Sequence, residues 1–139
     1  MAYSDRLERY TYEAGTTVAV AVGVPGFPGS TEPNIGTQYK FAKMDTANKD
    51  VVELATGAGG EILAGVITTK AQHPRTAVAV AKAGRVPVQA GEPLVIGAWV
   101  VPGSDGRAVA GTSATGVGIV VEPASAAGVL ATIELKLGR

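Results

Sequence analysis

Apolar and polar residues alternate with a period of two through much of this chain. In residues 16–24, Val18, Val20, Val22 and Val24 fall on one side and Thr17, Ala19, Ala21 and Gly23 on the other, the pattern of a strand with one buried face. Short strands are likewise predicted over residues 38–44 and 50–55, joined by a polar turn at 45–49, and over 61–69 and 76–81. In the last of these Val78 and Val80 oppose Ala77, Ala79 and Ala81. Residues 116–122 and 129–137 form a further pair, with Ile133, Leu135 and Leu137 facing away from Thr132, Glu134 and Lys136. Residues 83–110 are the centre of this organisation. Val86 and Val88 flank Pro87, Gly91-Glu92-Pro93 breaks the run, and residues 94–101 are almost continuously apolar around Trp99. Pro102 to Gly106 then reverses the chain, predicting a hairpin centred on Asp105-Gly106, because proline presets an early turn position and glycine tolerates positive φ. Many short strands at regular turn spacing predict an all-β fold, a small barrel or sandwich, with little helix.

Two stretches depart from the alternation. Residues 1–12 gather Asp5, Arg6, Glu8 and Arg9 with Tyr3, Tyr10 and Tyr12, three of the 4 tyrosines. They read as an N-terminal arm over residues 1–15, either a short helix starting near Ser4 or a frayed terminus, ahead of a single β domain at 16–139. Residues 25–36 hold three prolines and three glycines, which fit neither a helix nor a central strand, so an extended loop is expected. Phe27 and Ile35 in that loop need apolar cover, which a neighbouring subunit would supply.

Composition narrows the chemistry. With 139 residues the chain fits one domain. Lys+Arg (12) balances Asp+Glu (12), which removes the electrostatic case for nucleic acid or an anionic membrane, so a protein surface is the expected partner. The cysteine count is 0, leaving neither disulfides nor a thiolate zinc site. The N-terminus lacks the apolar core of a secretion signal and no run is long enough for a membrane span, so synthesis in the cytoplasm is expected. Aromatic residues are only 5%, and a core of Ala, Gly and Val buries little area per side chain, which oligomerisation would offset.

No catalytic pattern stands out. His73 precedes Pro74 in a polar connection with no nucleophile or metal partner at a telling spacing. Asp45, Asn48 and Asp50 lack the glycine and closing glutamate of a calcium loop, and Gly57-Ala58-Gly59-Gly60 lacks the lysine and helix of a phosphate loop. Glu92, Asp105 and Glu122 are the acids left as a conceivable carboxylate pair, although each adjoins a turn residue. Trp99 is either a core anchor or an interface anchor. No enzyme activity, cofactor or metal is expected.

From about residue 60 onward the chain resembles the phage capsid decoration, or cement, proteins. The matching pieces are Gly65-Val66-Ile67, Ala83-Gly84-Arg85-Val86-Pro87-Val88, Ala90-Gly91-Glu92-Pro93-Leu94, Gly97-Ala98-Trp99-Val100, Ser104-Asp105-Gly106-Arg107-Ala108-Val109, residues 116–122, and Ala126-Ala127-Gly128 leading into Ile133-Glu134-Leu135. The resemblance implies a β-barrel of the β-clip or β-tulip kind on the outer capsid surface of the virion, often a trimer, clamping subunits of the major capsid protein. Expected contacts to the capsid or an adjacent subunit are Tyr3, Arg6, Leu7, Arg9, Tyr10 and Tyr12 of the arm, Phe27 and Ile35 of the loop, and Trp99. A phage tail or baseplate subunit shares this composition. A carbohydrate-binding β module is the other alternative, and would carry more exposed aromatics.

Overall fold

The computed structural model describes residues 8–15, 17–18, 37–69 and 75–137, with the side chains of Glu8 and Arg9 left out. Nine strands form in the order β1 (Glu8–Ala14), β2 (Phe41–Met44), β3 (Val51–Leu54), β4 (Leu63–Ile67), β5 (Ala77–Gln89), β6 (Trp99–Pro102), β7 (Ala108–Ala110), β8 (Gly118–Glu122) and β9 (Leu130–Leu135). None of the described residues is helical. The expected all-β small barrel is what forms.

One long strand organises both halves. β5 runs for 13 residues, and the sheet order β1-β3-β2-β4-β5 closes on itself because β1 also pairs with β5. This first ring is a five-stranded barrel. Its pairings with β5 run from Glu13↔Ala77 to Glu8↔Ala83, and the next residue, Gly84, begins pairing with β9 at Leu135. Gly84 has φ +92°, a conformation open to glycine, at this handover. From there the order β5-β9-β8-β6-β7 makes a second ring, which returns to β5 through a single parallel bridge between Ala90 and Ala108. Pro87 is tolerated within β5 because this half of the strand pairs along one side with β9, at Thr132, so no ladder hydrogen bond is forfeited on the other.

Two apolar clusters fill the molecule, and the second takes Phe41, Val66 and Ala81 from strands of the first ring. Ala14, Val18, Ala42, Val52, Ala64, Ile67, Val78 and Val80 fill the first. The second cluster includes Phe41, Val86, Val88, Leu94, Val100, Ile133 and Leu135. In the first ring β4 crosses β5 so closely that a Cβ on Gly65 would lie 1.9 Å from the Ala81 carbonyl oxygen. The rings are sewn together at the end of β5. Gln89 is 1% exposed, its Nε2 donates to the Gln38 carbonyl at 2.7 Å, and its backbone N–H donates to the Tyr39 carbonyl at 2.8 Å. Buried amides of this kind persist only when satisfied. The Phe41 N–H donates to the Gly106 carbonyl at 2.8 Å, tying β2 to the tip of the β6–β7 hairpin.

Several expectations change in detail. Residues 8–14 of the expected arm are a strand of the barrel, neither a helix nor a frayed end, because Tyr10, Thr11 and Tyr12 are β-favouring residues with two strands to join. Of the strand expected at 16–24, Thr17 and Val18 are in a turn, and residues 16 and 19–24 lie outside the described residues, as does the loop at 25–36. The strand expected at 76–81 and the apolar step at Val86 and Val88 are one continuous strand. In the apolar run 94–101, Leu94 makes only an isolated bridge to Ala124, Ile96 and Gly97 (φ +86°) turn the chain, and strand β6 begins at Trp99. The hairpin around Asp105-Gly106 forms as expected, with Gly106 at φ +80°.

Candidate interaction surface

The antiparallel register of β1 on β5 sets Tyr10 opposite Val80 and Tyr12 opposite Val78. Side chains alternate along each strand, so both tyrosines, Val78, Val80 and Lys82 share one face. Tyr12 packs against the first ring's core, whereas Tyr10, nearer the ring's end, is 50% exposed. Lys82 stands at that same end. Its Nζ donates to the Ala64 carbonyl at 3.0 Å and lies 5.5 Å from the Tyr10 ring centroid and 5.1 Å from that of Tyr12, within cation–π range. Two strands on either side of β5 thus hold one ammonium group between a carbonyl and two aromatic rings.

A second exposed feature is apolar. Val95 and Ile96 are 69% and 68% exposed on the turn ahead of β6, and Val129 and Leu130 are exposed where β9 begins. Both pairs flank the β8–β9 connection, to which the turn is tied by reciprocal backbone hydrogen bonds between Leu94 and Ala124.

Of the sequence-predicted contact residues, Tyr10 and Tyr12 come together. Trp99 is on the other ring, half-buried on β6 and packed so tightly over Gly116 that an added Cβ there would lie 2.6 Å from the indole. It belongs to neither core cluster. Arg9 is placed by its backbone alone, opposite Ala81. Tyr3, Arg6, Leu7, Phe27 and Ile35 lie outside the described residues, as does His73.

The acids are occupied structurally. Glu92 accepts from the Ala110 N–H at 2.7 Å, and Asp105 accepts from the Arg107 N–H at 3.1 Å inside its own hairpin. Asp45 accepts from the Ala47 N–H and from Asn48, and these hydrogen bonds hold its carboxyl below the ordinary value. Glu61 borders a cleft of about 460 Å³ between the β3–β4 connection and β6, with Leu63, Val101, Pro102 and Val117 among its walls. Its carboxylate accepts from the Thr56 hydroxyl at 2.8 Å and the Gly57 N–H at 2.8 Å, and pairs with Lys43 at 3.1 Å. Burial pushes the Glu61 carboxyl up, but the bonds from Thr56, Lys43 and Gly57 outweigh it and the net shift is downward. A carboxylate so committed to its own loop is a brace. Among the described residues no three His, Asp or Glu side chains converge as metal ligands.

Sequence reasoning passed over Lys82, Val95, Ile96, Val129 and Leu130. Lys82 did carry a signal. It occupies the position two residues after Val80 in an alternating run, where a third valine would be ordinary.

No family model and no curated protein matches the chain. Among solved structures, the fold is similar to the head fiber gp8.5 N base of bacteriophage phi29, with a TM-score of 0.62 and 19% identity over 95% of this chain and 96% of that one. At that identity the likeness establishes the fold, and it extends over both rings.

Proposed function

We propose that the chain is a structural protein of a phage virion, seated on the outer surface of an icosahedral head, where it binds the major capsid protein and stabilises contacts between capsid subunits. The observation that carries this reading is the likeness to a phage head fiber base over 95% of this chain and 96% of the other. The resemblance of residues 60–139 to capsid decoration proteins supports it independently. So does the use of Glu61, Glu92 and Asp105 as braces for their own loops, which leaves them committed to holding shape. The role is non-enzymatic. Self-association, as a trimer on the shell, would cover the exposed Val95–Ile96 turn or the start of β9.

The test is a titration of purified protein against phage heads that lack it, with tails as a parallel sample. Saturable binding to heads at a fixed number of copies supports the proposal. Binding to tails alone would replace it with the tail or baseplate role, and binding to neither would overturn both.

A further inference from the structure

We propose that Lys82, held between Tyr10 and Tyr12, is the docking point for a carboxylate side chain on the partner protein, which under the reading above is the shell subunit. An ammonium group has three donors and no acceptor. One donor of Lys82 is used on the Ala64 carbonyl, and the rest of its surroundings are the faces of two tyrosines. Aromatic faces attract the cation without neutralising it. Lys43–Glu61, Arg75–Glu13, Arg107–Asp105 and Lys136–Glu134 are ion pairs of the described residues, and among those residues Lys82 is paired with no carboxylate.

Its charge is partly withdrawn from water and has no carboxylate against it among the described residues, which favours an incoming anion more than a fully solvated lysine would. Tyr10, 50% exposed, adds apolar contact area and a hydroxyl donor beside the same point. The backbone carbonyl and the two rings fix the ammonium in advance, so little side-chain freedom is lost on docking. A nucleic acid or an anionic membrane is a poor fit, because Lys+Arg (12) only balances Asp+Glu (12) and a single lysine is offered here. One acidic side chain on a protein surface matches both the charge and the size of the site.

Two measurements decide it. In the first, isotope-labelled protein is titrated with a hexaglutamate peptide and followed by nuclear magnetic resonance, with hexalysine and polygalacturonate as comparisons. Signals of Tyr10, Tyr12, Ala64 and Lys82 should move with hexaglutamate and stay still with hexalysine. Lys82→Gln, which keeps a donor for the Ala64 carbonyl, should bind about tenfold more weakly, the loss of one charge-assisted hydrogen bond, while Lys82→Arg retains binding. If Lys82→Gln fails to fold, Tyr10→Ala at the exposed ring replaces it and should weaken binding severalfold. Unmoved signals, an unchanged affinity in the folded variant, or binding of polygalacturonate in preference to the peptide would overturn the proposal. In the second measurement, Lys82→Gln is titrated against heads and should bind about tenfold more weakly with a shallower salt dependence. Wild-type protein that ignores heads yet passes the peptide titration would remove the head reading and leave the carboxylate site standing.

Discussion

The two rings share β5 and are closed in opposite ways. The first is shut by β1, which pairs with β5 along most of its length and with β3 at its end. The second returns to β5 through one bridge, Ala90↔Ala108. Their interiors differ in the reverse sense. The fully buried side chains of the first are mainly alanine and valine, with Ile67 the largest and Tyr12, Met44 and Leu54 only partly buried against them, whereas the second buries Phe41, Leu94, Ile133 and Leu135. Small side chains allow the strands of the first ring to approach closely, as at Gly65, but bury little area each. The first ring therefore depends on its backbone closure and the second on its filling.

Removing residues 1–12 should have the largest effect. That deletion takes most of β1, opens the barrel and leaves β5 with unpaired backbone groups from Val78 to Ala83, although the composition suggests an arm that stands ahead of the β domain. The expected loss exceeds about 5 kcal/mol, comparable with the whole stability of a small domain. Amide exchange on the truncated protein should show protection lost in β2–β4. A truncated chain that melts with the wild-type profile would break the contrast between the rings.

Gly65→Ala should come next. The new Cβ would meet the Ala81 carbonyl oxygen at 1.9 Å, at a backbone φ of +144° that side chains resist, and the obstacle is main chain that cannot swing away. A loss of about 4 kcal/mol or more is expected in denaturant unfolding. In the second ring, Ile133→Ala at a fully buried position should cost about 3 kcal/mol through lost packing and the cavity left behind. Val52→Ala in the first ring, which removes less, should cost about half as much. Equal costs for Ile133→Ala and Val52→Ala would mean that filling matters alike in both.

The smallest effect is the acid response of the brace that joins the β3–β4 connection to β2. Because the Glu61 carboxyl is held below its ordinary 4.5, it binds protons less readily in the folded protein than in the unfolded chain. Its contribution is complete above pH 4.5 and is lost as pH falls below that toward the depressed folded value. Glu61→Gln should flatten the stability profile in that window. A mutant profile parallel to wild type across it would remove Glu61 as the cause.

What could be read in the sequence follows the same division. The β6–β7 hairpin, the β2–β3 hairpin and the alternation in β9 are set by neighbouring residues and turn chemistry, so their pattern is local and visible. β1 was not legible, because what makes Glu8–Ala14 a strand is β5, about 70 positions later, and the charges around it read as a solvated end. The fusion of two expected strands into β5 was hidden for a related reason. Gly84 and Pro87 look like breaks, yet one marks the handover between rings and the other sits where only one side of the strand is paired. For the candidate surface, the tyrosines were legible by type. Their partner Lys82 was not singled out, because its meaning depends on a register across β1 and β4 that periodicity alone does not give.

The most direct test of the account is cryo-electron microscopy of the assembled phage particle at a resolution that distinguishes the two rings. The account predicts density for the barrel and its second ring of strands on the outside of the head, with the end of the first ring, at Tyr10 and Lys82, against an acidic side chain of the shell. Heads that carry no such density, or a barrel located only on the tail, would contradict it.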